Sequence, residues 1–156
     1  MKNRFLILFL FFSFFLVTGC DEEYKIVYCT RSVEDSSNNI SASMRYELYY
    51  DSNYYVRKSV SNEEITSTSS DVIEEYKKAY EDSFKAYKDL SYYTNTITVN
   101  DNTLTSLTII DYDKVDSKKI LKIEGDDGNI FTKDGKVKLD TLIERYQKTG
   151  SKCYGN

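Results

Sequence analysis

Ser41-Ala42-Ser43-Met44-Arg45-Tyr46-Glu47-Leu48-Tyr49-Tyr50 alternates in character along its length. Ala42, Met44, Tyr46, Leu48 and Tyr50 fall on one side, and Ser43, Arg45, Glu47 and Tyr49 on the other. A period of two marks a strand with one buried face. Asp51-Ser52-Asn53 follows as a short turn. The chain then returns as a second strand over 54–60, with Tyr54, Val56 and Val60 expected on one side, and Ile65 to Ser69 extend or follow it. Towards the N-terminus, Tyr24-Lys25-Ile26-Val27-Tyr28-Cys29 is β-branched and aromatic and predicts a further strand. Arg31 to Asn39, with Ser36-Ser37-Asn38-Asn39 together, predicts a loop.

Towards the C-terminus the period changes. Val72, Ile73, Tyr76, Tyr80, Phe84, Tyr87 and Leu90 recur at steps of three and four, which predicts one long amphipathic helix over 71–90. Asp71 and Glu74 are spaced as a capping-box-like pair, and Glu74 with Lys78 and Glu81 with Lys85 as four-residue charge pairs. Thr94 to Val99 and Leu104 to Ile110 predict a hairpin around Asn100-Asp101-Asn102, whose residue types tolerate left-handed backbone. Ser117 to Glu124 predicts a short helix. Gly125-Asp126-Asp127-Gly128 and Lys133-Asp134-Gly135-Lys136 are turns. Leu139 to Thr149 predicts a C-terminal helix with Leu139, Leu142, Ile143 and Tyr146 on one face and Gly150 as its stop. Strands divided by one helix point to an α+β fold: a mainly antiparallel sheet, one long amphipathic helix packed on a face, and a C-terminal helix.

The first nineteen residues are of another kind. Lys2 and Arg4 precede Phe5 to Val17, an apolar run broken only by Ser13. Such a run is short for a permanent membrane span and suits the core of an export signal. It ends in Val17-Thr18-Gly19-Cys20, which resembles the lipobox of bacterial lipoproteins. The resemblance implies cleavage between Gly19 and Cys20 and a diacylglycerol-type lipid, with palmitate, on the Cys20 thiol. The expected organisation is a signal peptide over 1–19, the acylated cysteine and a very short tether over 20–23, and a single extracytoplasmic domain over 24–156. The expected location is the extracytoplasmic face of the cell membrane.

Removing that signal changes the composition. The 40% apolar fraction of the whole chain mixes two objects. The mature part carries 19 basic against 25 acidic residues, a formal charge of −6, because Lys2 and Arg4 leave with the signal. Six of the eight Phe leave too, while all 15 Tyr stay, so Tyr is expected to supply much of the core. With Cys20 lipidated, Cys29 and Cys153 remain. Outside the membrane they are a candidate disulfide pair, two free thiols being the alternative.

A second resemblance rests on the order of these features. The lipobox, the early strand, the Met44-Arg45-Tyr46-Glu47-Leu48 strand pair, the helix and the hairpin come first. Ile110-Asp111-Tyr112-Asp113-Lys114-Val115-Asp116 and the late helix ending at Gly150 follow. In this order the chain is similar to the YehR-like bacterial lipoproteins, a family of unknown function, over most of 24–153. The resemblance implies the α+β fold and no catalytic residues.

Chemistry is sparsely written. With no His, a Ser-His or Cys-His nucleophile is excluded, as is a His-ligated metal. No catalytic, metal or cofactor residues are assigned. Asp111, Asp113 and Asp116, and Asp126 with Asp127, lack the spacing of a calcium loop. Negative charge and the lack of any long basic run argue against nucleic acid. The Tyr excess is the suggestive feature: Tyr49, Tyr54 and Tyr55 flank one turn and are candidate ligand-facing aromatics. The expected function is a non-enzymatic surface binding or interaction module, held to the membrane through Cys20, with a cell-wall glycan or a membrane protein as partner. The alternatives are an accessory subunit of a membrane-bound complex such as a transporter and, at lower weight, a carboxylate-based hydrolase.

Overall fold

The computed structural model describes residues 24–125 and 129–155. The signal, Cys20 and the tether therefore lie outside the described residues, as does most of the turn at 125–128. The described elements are β1 (Lys25–Asp35), β2 (Ile40–Tyr50), β3 (Val56–Ser67), α1 (Ser70–Phe84), β4 (Tyr93–Asn100), β5 (Thr103–Asp111), α2 (Ser117–Glu124), α3 (Leu139–Lys148) and β6 (Lys152–Gly155). The strands form one sheet in the order β4-β5-β3-β2-β1-β6, with every neighbouring pair antiparallel. The fold is α+β.

The alternation in β2 sets the two faces. Val27 lies opposite Leu48 and Cys29 opposite Tyr46, so the inward residues of β1 and β2 meet directly. Tyr46 in turn faces Ser61 and Ala42 faces Ile65, carrying the same face onto β3. Ser61 faces Thr108 and Ile65 faces Leu104 on β5. Asn95, Ile97 and Val99 complete this face on β4. Helix residues cover it in two places. Leu139 and Leu142 of α3 pack with Val27, Cys29, Leu48, Tyr50, Val56 and Val137. Ile73 of α1 packs with Ile65 and Leu104. The opposite face carries Tyr28, Arg45, Glu47, Tyr49 and Lys58, and among the described residues no helix builds a core on it.

Several expectations are corrected. β1 does not end at Cys29 but runs to Asp35, because every residue through Asp35 finds a partner on β2; only 36–39 turn. Val56 and Val60 do not share a side. The register slips between Tyr49 and Tyr50, so Val56 joins the core while Val60, opposite Glu47, faces the other way. A bulge inserts one residue and flips the parity that alternation relies on. Tyr54 lies in the turn itself, with φ 61°.

The long helix is also shorter than its pattern. α1 has 15 residues and stops at Phe84, with Ser69 and not Asp71 at its N-cap. Beyond it Lys85, Tyr87 and Leu90 each donate a backbone N–H three residues back, to Asp82, Phe84 and Tyr87. These tight turns accompany ring contacts of Phe84 (5.9 Å) and Tyr87 (4.8 Å) with Tyr93. Periodicity continues through 87 and 90, but the aromatic contacts bend the chain back towards β4. The charge pairs form at three-residue spacing, Glu74 with Lys77 at 3.6 Å and Asp82 with Lys85 at 3.1 Å, replacing the expected partners.

Other expectations hold. The hairpin turns at Asp101, with φ 51°. Asp116 caps α2 by accepting from the backbone N–H of Lys118 (3.1 Å) and Lys119 (3.3 Å). Gly150, at φ 92°, donates to Gln147 while Ser151 donates to Tyr146, closing α3. The sequence carried no sign of β6. It puts Cys153 directly opposite Cys29, and the two are joined by a disulfide.

Candidate functional site

The middle of the covered face is polar. Ser59 and Ser61 on β3, Ser106 and Thr108 on β5, and Asn95 on β4 all point inward. These small groups cannot fill the space beneath the helices, and large tyrosines fill it from above. The Tyr112, Tyr146 and Tyr93 rings bring their hydroxyls towards Ser59, Ser61 and Thr108. Asn95 donates to Ser106 (3.1 Å) and Thr108 (2.9 Å). Buried hydroxyls call for such partners, and the Tyr92 hydroxyl is an exception that finds none among the described residues. Tyr enters the core in part: Tyr50 and Tyr92 are buried, while Tyr46, Tyr112 and Tyr146 pack half-buried against a core that is otherwise mostly aliphatic.

Between α1 on one side and α2 with α3 on the other, this floor stays open. The resulting cleft has a volume of about 400 Å³. Tyr46, Tyr87, Tyr93, Tyr112 and Tyr146 line it, together with Phe84 and Phe131. Tyr46 and Tyr146 stack with centroids 4.2 Å apart. Ile120 of α2 and Leu142 of α3 close the far wall.

Two carboxylates enter the cleft. Glu63, half-buried on β3, accepts from the phenol of Tyr80 (2.6 Å) and more loosely from that of Tyr46 (3.4 Å). Glu124, at the end of α2, accepts from Tyr87 (3.2 Å) and pairs with Arg145 of α3 at 3.8 Å. The phenols respond to this surrounding. Burial first, and the neighbouring Glu63 next, raise Tyr46 and Tyr80 well above the usual phenol range. Burial and Glu124 push Tyr87 up to about 12. Burial also raises Tyr93, Tyr112 and Tyr146. The rings therefore stay neutral donors through the physiological range.

The aromatics singled out from sequence sit elsewhere. Tyr49 lies on the uncovered face, donating to Glu47 (2.8 Å) with Lys58 above its ring. Tyr54 is 62% exposed and stacks on Tyr50 at the turn. Tyr55 bridges to Lys138 and carries Lys136 over its ring. The structure does not gather these three into one surface. Asp111, Asp113 and Asp116 are each engaged: with Lys114, with Arg57 and as the α2 cap. Among the described residues no group of three or more carboxylate or cysteine side chains is placed to hold a metal ion.

Glu63 was missed by sequence reasoning. Its signal was the inward series Ser59, Ser61, Glu63 lying beside Leu48, Tyr46 and Met44 of β2. A polar inward series on a central strand means either a partner set or a cavity, and here it means both.

Two solved structures share this fold. The solution structure of the E. coli YehR protein matches with a TM-score of 0.53 and 21% identity, covering 86% of this chain and 92% of that one. The solution structure of a protein from Streptococcus pneumoniae TIGR4 matches with a TM-score of 0.51 and 14% identity, covering 99% and 97%. At these identities the likeness speaks for the fold, which is of the YehR kind. No protein-family model and no curated protein matches the chain.

Proposed function

We propose that the chain is a lipid-anchored extracytoplasmic binding module whose ligand seat is the tyrosine-walled cleft. The observation that carries this reading is the cleft: a preformed cavity with apolar walls and a few convergent polar groups, the usual form of a small-ligand site. The lipobox ending in Cys20 supports the anchor, and no helix among the described residues is long and apolar enough to cross a membrane. The ligand approaches over the covered face, between α1 and α2–α3, and not across the Tyr49 face.

Ser83 gives the test. It lines the cleft from the exposed side of α1, so Ser83→Trp obstructs the mouth without entering a core. Full-length chain carrying labelled tyrosine is titrated with soluble cell-wall muropeptides and with small amines, read by nuclear magnetic resonance. Expected are shifts at Tyr80, Tyr87 and Tyr93 that vanish in Ser83→Trp. Shifts confined to Tyr49 and Tyr54 would move the seat to the other face. The anchor is tested separately, by labelling cells with a fatty-acid analogue: label should enter the chain and be lost in Cys20→Ala.

A further inference from the structure

We infer that the cleft selects a ligand bearing a small organic ammonium group, which seats against Glu63 between aromatic rings. This rests on the reading that the cleft is the seat, and it follows from the charges within it.

Glu63 is the point of departure. Its partners are two phenol hydroxyls, and neither brings a positive charge. The other carboxylate, Glu124, already has Arg145. Among the described residues no lysine lines the cleft. Among the described residues that do line it, Glu63 and Glu124 stand against Arg145 alone, so no cation touches Glu63; Arg31, two strands away on the same face, acts on Tyr46 but is not paired with this carboxylate. A half-buried charge of this kind is costly to keep out of water unless an opposite charge arrives.

The walls agree with the floor. Tyr46 and Tyr80 touch this carboxylate, and Phe84, Tyr87 and Tyr93 line the same cleft. Aromatic faces are electronegative and attract ammonium ions, most strongly where water is thin. The phenols stay neutral, so they add no charge of their own. An anionic ligand would meet Glu63 head on. A bare divalent ion would need several oxygen ligands at set distances, and one carboxylate with phenols does not supply them. A neutral sugar could stack on the rings but would leave Glu63 as it is. An organic ammonium group satisfies both features, and a cavity of about 400 Å³ admits one with the body of a small molecule attached.

The experiment compares charge at constant shape. Full-length chain in detergent is titrated with choline and with n-butylammonium. Choline is set against its uncharged carbon isostere, dimethylbutanol, and n-butylammonium against n-butanol, an uncharged isostere of equal chain length. Binding is read by shifts of labelled tyrosine. At least one ammonium probe should bind about tenfold or more tightly than its isostere, with shifts at Tyr46 and Tyr80. Glu63→Gln should erase that difference, whereas Tyr80→Phe, which keeps the ring, should retain most of it. The isostere comparison on the unmutated chain stands even if a variant fails to fold. Equal binding of probe and isostere would overturn the ammonium assignment and leave the cleft as the seat. So would muropeptide shifts in the cleft without any from either ammonium probe. If no probe of any class moves the cleft tyrosines, the seat and the assignment both fall.

Discussion

The covered face holds two cores of unequal size. The one under α3 has eight buried residues, among them Leu48, Tyr50 and Val137, and a disulfide runs along its edge. The one under α1 has three, Ile65, Ile73 and Leu104. Of the whole helix α1, only Ile73 is buried. The cleft lies between the two. One of its walls therefore belongs to the well-held half and the other, α1, to the lightly held half. Regions with few buried apolar contacts open first, below the free energy of global unfolding. The difference teaches that the cleft opens more readily on its α1 side, while α3 gives the firmer wall.

Removing the disulfide should have the largest effect on this asymmetry. Cys29 and Cys153 are 124 residues apart in sequence. Loop-entropy reasoning for a span of that size gives on the order of 5 kcal/mol, an upper-side value. Denaturant unfolding of the Cys29→Ala, Cys153→Ala double variant should show a loss of that order. A loss near zero would mean that the α3 half owes its firmness to packing alone. Leu48 and Leu104, both fully buried, allow the next comparison. Leu48→Ala should cost about 4 kcal/mol of global stability. Leu104→Ala should cost about 2–3 kcal/mol, because a small cluster collapses around its cavity more readily. Hydrogen exchange should then rise across α1 in the Leu104 variant and not across α3. Uniform exchange in both helices would break the distinction.

Alkaline pH acts on the floor that joins the halves. Tyr46, Tyr80, Tyr87 and Tyr93 have folded-state values above the ordinary phenol value near about 10. The unfolded chain therefore gives up these protons first. Stability should be level below about pH 10 and fall as pH rises above it. Tyrosinate absorbance of the cleft rings should appear only with unfolding. A single smooth titration of all rings would contradict the buried floor. The smallest effect belongs to the outer surface of the protein. Lys85→Ala breaks an exposed pair with Asp82 and should change stability by less than about 0.5 kcal/mol.

Much of this fold was legible. The strict alternation at 41–50 gave β2 its face, Asn100 to Asn102 gave the hairpin, and Gly150 stopped α3 where expected. These signals are local, and local chemistry writes them. What escaped reading is set by distant partners. β6 has only four residues and exists because β1 offers an edge. The second half of β1 is polar and becomes strand only through pairing with β2. α1 stops at Phe84 because Tyr93, nine residues on, holds its ring. The cleft escaped for the same reason. Glu63, Tyr80, Glu124 and Arg145 lie on four different elements, and no spacing along the chain relates them. The tyrosine count signalled that rings would be used, but not on which face.

The disulfide has one more consequence, which is mechanical. Gly155 lies opposite Val27, so the described chain enters and leaves at neighbouring points of the sheet. Tension applied between those two ends would run from Tyr24 to Cys29, across the sulfur bridge, and out from Cys153 to Gly155. Thr30 to Lys152 lie outside that line of force and would feel none of it. An oxidised domain would behave under tension as a short inextensible link, whereas a reduced one would add the contour of the whole sheet once β6 peeled away.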